Sequence, residues 1–142
     1  MNLADLLTDL AIQVNIVVRQ AASKLQLTSS QAYLLFIIPP DGISMSNLAY
    51  KLGIDNSTLT RNIQKLENAH LVERRAGSYD KRILNVFLTI SGKEAASALE
   101  ALLNEFTLLL YEKHDLDSQN SLVEVLEKLN WHMECLSEER HA

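Results

Sequence analysis

Gly53 constrains this chain more than any other single residue. With Ile54 it separates "SNLAYKL" from "DNSTLTRNIQKLE", two stretches whose apolar residues recur every three or four positions. In the first, Leu48, Ala49 and Leu52 share a face; in the second, Leu59, Ile63 and Leu66 form an i, i+4, i+7 stripe. Amphipathic helices this short and this close must reverse over one or two residues, and glycine enters the left-handed backbone without steric penalty. Ser44 is placed to cap the first helix and Asp55 the second, each offering an oxygen to amides that a first turn leaves unpaired. Helix, glycine turn and helix at this spacing make a helix-turn-helix. The face opposite the second stripe carries Ser57, Thr58, Thr60, Arg61, Gln64 and Lys65.

The flanking sequence is mostly helical too. Residues 3–25 set Leu3, Leu6, Leu7, Leu10, Val14, Val17, Val18, Ala21 and Leu25 on one face of a long helix. Thr28 and Gln31 are spaced as a capping box for a second helix, which Pro39 and Pro40 must stop and Asp41-Gly42 turn. Beyond the helix-turn-helix, "LVERR" and "ILNVFLT" read as short strands joined by "AGSYDK", with Leu84, Val86 and Leu88 alternating against Ile83, Asn85 and Phe87. Ser91 with Glu94 is a further capping-box pattern opening a long helix, and Asp117 is the expected cap of the last one. That last helix spaces Leu122, Leu126, Leu129, Met133 and Leu136 by alternating fours and threes. No repeat or low-complexity segment interrupts the 142 residues. Only four glycines and two prolines leave room for few loops.

Composition excludes several classes. The N-terminal "MNLADLLTDL" lacks a basic leader region, and "AYLLFII" is too short to span a bilayer, so neither a signal peptide nor a membrane partner is expected. One cysteine, Cys135, cannot form an internal disulfide and fits a cytoplasmic location; as a small packing residue or a redox sensor it stays open. The histidines at 70, 114, 132 and 141 are not at metal-ligand spacing. No Ser/His/Asp or Cys/His arrangement, paired catalytic carboxylates or glycine-rich phosphate loop is present. No enzyme activity, metal or cofactor is expected.

Net charge is −5, yet its distribution is uneven. From Ile43 to Lys93 there are eight Lys/Arg against four Asp/Glu, whereas the rest has five against fourteen. A basic lobe on an acidic body can turn one face toward a polyanion. Much of the surplus, Arg74, Arg75, Lys81 and Arg82, surrounds the "GSYD" turn between the two strands. A helix-turn-helix followed by a basic hairpin is a winged helix.

In order and spacing, "LTSSQ" (27–31), "LAYKLGIDNSTLTRNIQKLE" (48–67), the Asp80-x-Arg82 pair and "LTISGKE" (88–94) resemble the MarR family of bacterial transcription regulators. The resemblance covers the whole chain. Two departures are visible: His70 stands where the family usually has glycine after the recognition helix, and the wing loop is light in glycine. The implied fold is mainly α, a single domain over 1–142. A winged helix-turn-helix lobe with a two-stranded β wing spans 28–90. Long dimerisation helices flank it in 1–27 and 91–142.

The resemblance implies a homodimeric repressor that binds a pseudo-palindromic double-stranded DNA operator and is relieved by an effector. Ser57, Thr58 and Thr60 would meet bases or phosphates, Arg61 a guanine edge, and Lys65 a phosphate. Asp80 would orient Arg82 for the minor groove, with Arg74, Arg75 and Lys81 on flanking phosphates. Arg74 and Arg75 equally fit the charges that guard an exposed strand edge. Relatives respond to small phenolic or other amphipathic ligands in a crevice; Tyr33, Phe36 and Ile37 fit either its lining or a plain core. The rival reading is a winged-helix protein-interaction module without DNA binding.

Overall fold

The computed structural model describes residues 1–141, so Ala142, the last residue of the expected domain, lies outside the described residues, as does the side chain of His141. The elements are α1 (Leu3–Ser23), α2 (Ser29–Ile37), β1 (Ile43–Ser44), α3 (Met45–Leu52), α4 (Asn56–Asn68), β2 (Val72–Ala76), β3 (Leu84–Leu88), α5 (Ile90–Tyr111) and α6 (Leu116–His141). They divide into two compact units, residues 1–103 and the chain from Asn104 onward. The mainly helical winged helix-turn-helix read from the sequence is present.

The core of the first unit lies where the helical periodicities place it. Leu34 and Leu35 of α2, Leu48 of α3, Leu59, Ile63 and Leu66 of α4, and Leu99 of α5 are buried in one cluster with Val72 and Val86 of the sheet. Each such side chain removed from water contributes about 1.5–3 kcal/mol. In α1 the apolar stripe divides: Val18, Ala21 and Ala22 are buried in this core, while Leu3, Leu6, Leu10 and Val14 remain exposed. Among the described residues, the buried positions of α1 all lie in its second half.

Local signals set most helix ends. Thr28 and Gln31 close a reciprocal capping box, and Ser44 and Asp55 accept from the amides of Asn47 and Thr58. Gly53 is left-handed at φ 63°, its amide bonding back into the last turn of α3. His70 takes the same conformation at φ 61°, as expected of the residue in the family's glycine position. Its amide donates to the Glu67 carbonyl and that of Leu71 to the Leu66 carbonyl, a Schellman closure of α4.

Two caps differ from those read in the sequence. At α5 the cap is Thr89 rather than Ser91: its hydroxyl oxygen accepts from the Gly92 amide at 3.0 Å and its proton goes to the His70 carbonyl at 2.6 Å. The Thr89 amide also donates to the Leu71 carbonyl, so a long-range contact starts the helix two residues early. At α6 the cap is Asp115 rather than Asp117, accepting from the Ser118 amide at 2.7 Å. That amide and then the Ser118 hydroxyl hold the Asp115 carboxyl below the usual carboxylate range.

The wing strands β2 and β3 pair antiparallel with Arg74 opposite Val86. A third strand joins them: β1 pairs with the other edge of β3, Ile43 opposite Val86, giving the order β1-β3-β2. Gly42, at φ 83°, brings the chain so close to β3 that an added Cβ would lie 2.4 Å from the Phe87 ring.

The second unit holds the last turns of α5 and α6, joined by a short turn. The Gln119 side-chain amide donates to the carbonyls of Tyr111 and His114 and closes it. Leu108, Leu109, Val125, Trp131, Met133 and Leu136 are exposed here. Among the described residues no helix is long and apolar enough to cross a membrane.

Candidate nucleic-acid interface

Two devices from the basic lobe make up the candidate surface: the first turns of α4 and the wing tip. Asp55 anchors the helix end. Its carboxylate accepts from the Thr58 amide at 2.7 Å and the Thr58 hydroxyl at 3.0 Å. These two bonds, and then the Arg61 charge, hold that carboxyl below the usual carboxylate range. Arg61 lies along the same turn with one guanidinium nitrogen 3.5 Å from the Thr58 hydroxyl. Ser57, Thr60, Arg61 and Lys65 are exposed, while Thr58 is half-buried. The Thr60 hydroxyl donates to the Asn56 carbonyl at 2.7 Å. With their protons engaged, both threonine hydroxyls keep acceptor lone pairs; Thr60 is exposed, whereas the Thr58 oxygen already accepts from Arg61.

The wing tip is built around Asp80. Its carboxylate accepts from the Arg82 backbone amide at 3.0 Å and from two guanidinium nitrogens at 3.1 Å each. The side-chain bonds from Arg82, then its amide, hold the Asp80 carboxyl below the ordinary carboxylate range, and the pairing raises the guanidinium further. Despite this clamp the Arg82 side chain is 91% exposed. Gly77 closes the hairpin: its amide donates to the Ile83 carbonyl at 2.7 Å, and an added Cβ would lie 2.6 Å from the Asp80 carbonyl. Lys81 is exposed beside the clamp.

The two strand arginines sit differently. Arg75 is exposed, pairs with Glu73 and lies 4.4 Å over the Phe87 ring. Arg74 is 23% exposed, with its Nε 2.6 Å from Glu67 Oε1 and a terminal nitrogen donating to the Gln64 side-chain oxygen at 3.2 Å. Glu67 Oε1 is buried, and the Nε–H is not aligned on it, so this contact is an ion pair by proximity rather than a directed hydrogen bond. The reading of Arg74 as a phosphate contact or a strand-edge guard missed Gln64 and Glu67. Strand alternation carries the missing signal: Arg74 shares the phase of buried Val72, so its charge needs an internal partner.

Of the three residues read as pocket-lining, Tyr33 borders a cavity. That cavity holds about 160 Å³ between α2 and α4, bordered also by Leu34, Leu52, Ile54, Thr58 and Asn62. The Tyr33 hydroxyl donates to the Asn15 side-chain oxygen at 3.4 Å. Phe36 is exposed and Ile37 packs against the core. Among the described residues no group of His, Cys, Asp and Glu is arranged to hold a metal.

Residues 27–84 match the sequence model of the MarR family. The uncharacterized HTH-type transcriptional regulator YdgJ of Bacillus subtilis is 30% identical over 89 residues, which are 63% of this chain and 54% of that protein. The chain thus spans about half the length of that relative. Wild-type apo MarR from E. coli superposes with a TM-score of 0.80 at 24% identity, covering 91% of this chain and 96% of that one. A mutant E. coli MarR crystallised with operator DNA has a TM-score of 0.74 at 25% identity, covering 89% and 92%.

Proposed function

We propose, from the premise that residues 27–84 are a MarR-family domain, that this chain is a homodimeric, sequence-specific DNA-binding regulator. It acts as a repressor that a small amphipathic or phenolic effector releases. The observation that carries the reading is the wing tip: a guanidinium held at two nitrogens by Asp80, yet almost wholly in solvent. A clamped side chain has lost rotational freedom before docking, so less entropy is lost when it enters a groove. The minor groove is narrow and strongly negative, and suits a single planar cation.

Beside the wing, α4 enters the major groove with its capped end first. Ser57, Thr58 and Thr60 meet donors on base edges, and Arg61 reaches a guanine. Lys65, Lys81 and Arg75 neutralise phosphates. The exposed apolar stripes of the first half of α1 and of α6 support a second copy as their cover, with residues 1–27 and 91–142 as the dimerising part and 28–90 as the DNA-binding lobe. A two-fold axis would then set half-sites about 34 Å apart. An effector filling the 160 Å³ cavity would touch Tyr33 and, on α4, Thr58 and Asn62, and a space of that order holds about one aromatic ring.

Selection of duplexes from a random pool, with and without phenolic ligands, tests the whole reading. Arg82→Ala is expected to weaken operator binding by about tenfold or more at fixed salt, with melting temperature and oligomeric state unchanged. Equal affinity of mutant and wild type removes the wing from the mechanism. Flat, weak binding to every duplex at low salt favours a protein-interaction module instead.

A further inference from the structure

We infer that Arg74 is a positioning residue, which locks the recognition helix to the wing, and does not contact phosphate. The inference rests on the DNA-binding reading above and deepens it. One guanidinium meets two side chains of α4, Gln64 through a terminal nitrogen and Glu67 through Nε, three residues apart on one helix face. Gln64 in turn donates its amide to Asn68 at 3.1 Å, so the bridge engages the last two turns of α4. On the strand side Arg74 stands opposite Val86 at the centre of the β2–β3 pair. Only a forked cation spans both partners; a lysine ammonium is a single point charge.

The two DNA-contacting devices lie on opposite sides of this bridge in the chain. Cationic Arg61 belongs to the start of α4 and Arg82 to the far end of the hairpin. A duplex has fixed groove spacing, so helix and wing engage together only if the angle between them is set in advance. Arg74, at the middle of β2, ties that strand to the last two turns of α4, and a small rotation between them is multiplied along both arms. Its exposure of 23%, against 91% for Arg82, marks it as a strut rather than a surface charge.

Affinity for the selected operator and for an unrelated duplex is to be measured across a series of salt concentrations for wild type, Arg74→Met and Glu67→Gln. The strut reading expects Arg74→Met to lose about tenfold on the operator while the slope of log K against log salt stays that of wild type. Glu67→Gln is the sharper arm, since it removes a negative charge near a polyanion and leaves Arg74 cationic. Coulomb attraction alone would tighten all binding; loss of the strut weakens the operator and leaves the unrelated duplex as tight or tighter, so the specificity ratio falls. Two results overturn the inference: a slope about 0.9 shallower in Arg74→Met, the signature of one lost phosphate contact, or operator affinity in Glu67→Gln at or above wild type. Should Arg74→Met not fold, the Glu67→Gln arm decides alone. Wild-type protein that binds no duplex defeats the DNA-binding reading itself, a separate outcome.

Discussion

Replacing Gly92 with alanine probes how the long helix α5 is seated. Gly92 is in the first turn of α5, and an added Cβ would stand 1.9 Å from the Leu71 carbonyl oxygen and 2.9 Å from its carbon. These are backbone atoms, which cannot swing aside as a side-chain tip can. Restoring ordinary contact near 3.4 Å requires the helix start and the Leu71 peptide to separate by about 1.5 Å. That movement breaks the bonds from the Thr89 amide to Leu71 and from the Thr89 hydroxyl to His70, now 3.0 and 2.6 Å. Two hydrogen bonds at about 1 kcal/mol each and overpacking of about 1–3 kcal/mol set the loss, and alanine's better helix propensity offsets less than about 1 kcal/mol. Net destabilisation is expected at about 2–4 kcal/mol, a large share of the roughly 5–15 kcal/mol that holds a domain together. Urea unfolding followed by circular dichroism at one fixed protomer concentration reads it directly. A shift under about 0.5 kcal/mol, the range of an ordinary surface substitution, would refute the close approach and the account of the helix start built on it.

Thr89→Ala should cost about 0.5–2 kcal/mol, as loss of a helix cap does, whereas Ser91→Ala should stay within about 0.5 kcal/mol of wild type; the same titrations decide it, and the reverse order would restore Ser91 as the cap. Acid stability carries a further expectation. The Asp55 carboxyl lies below its ordinary value of 3.8 when folded, chiefly through the Thr58 amide, so its contribution is complete above that value and disappears as pH falls through the folded one. Asp55→Asn should therefore flatten the acid limb of a melting-temperature profile below about pH 4, and an unaltered limb would show that this cap is not titrating.

Much of the architecture was legible because its causes are local. A capping box at Thr28 and Gln31, the caps at Ser44 and Asp55 and the left-handed Gly53 involve groups three or four residues apart. The Asp80–Arg82 clamp spans two. Spacing alone exposes such pairs, as it does the stripe Leu59, Ile63 and Leu66, which is fully buried.

What escaped the sequence depends on groups far apart along the chain. Strand β1 is two residues long and exists only because β3, some forty residues later, pairs with it; no periodicity can be read in two residues. Thr89 prevails over Ser91 as a cap because His70 and Leu71 hold it, although Ser91 has the better local pattern. Arg74 and Arg75 are neighbours of the same type, and only the sheet turns one toward α4 and the other toward Phe87. The apolar stripe of α1 is continuous as text, and the tertiary structure alone divides it into a buried and an exposed half. Sequence by itself determined the helices, the caps at Thr28, Ser44 and Asp55, and the charged hairpin, since short-range hydrogen bonding and periodicity act within a few residues. Tertiary structure decided which charges are neutralised and which face outward, because a side chain's partner depends on where distant backbone brings it.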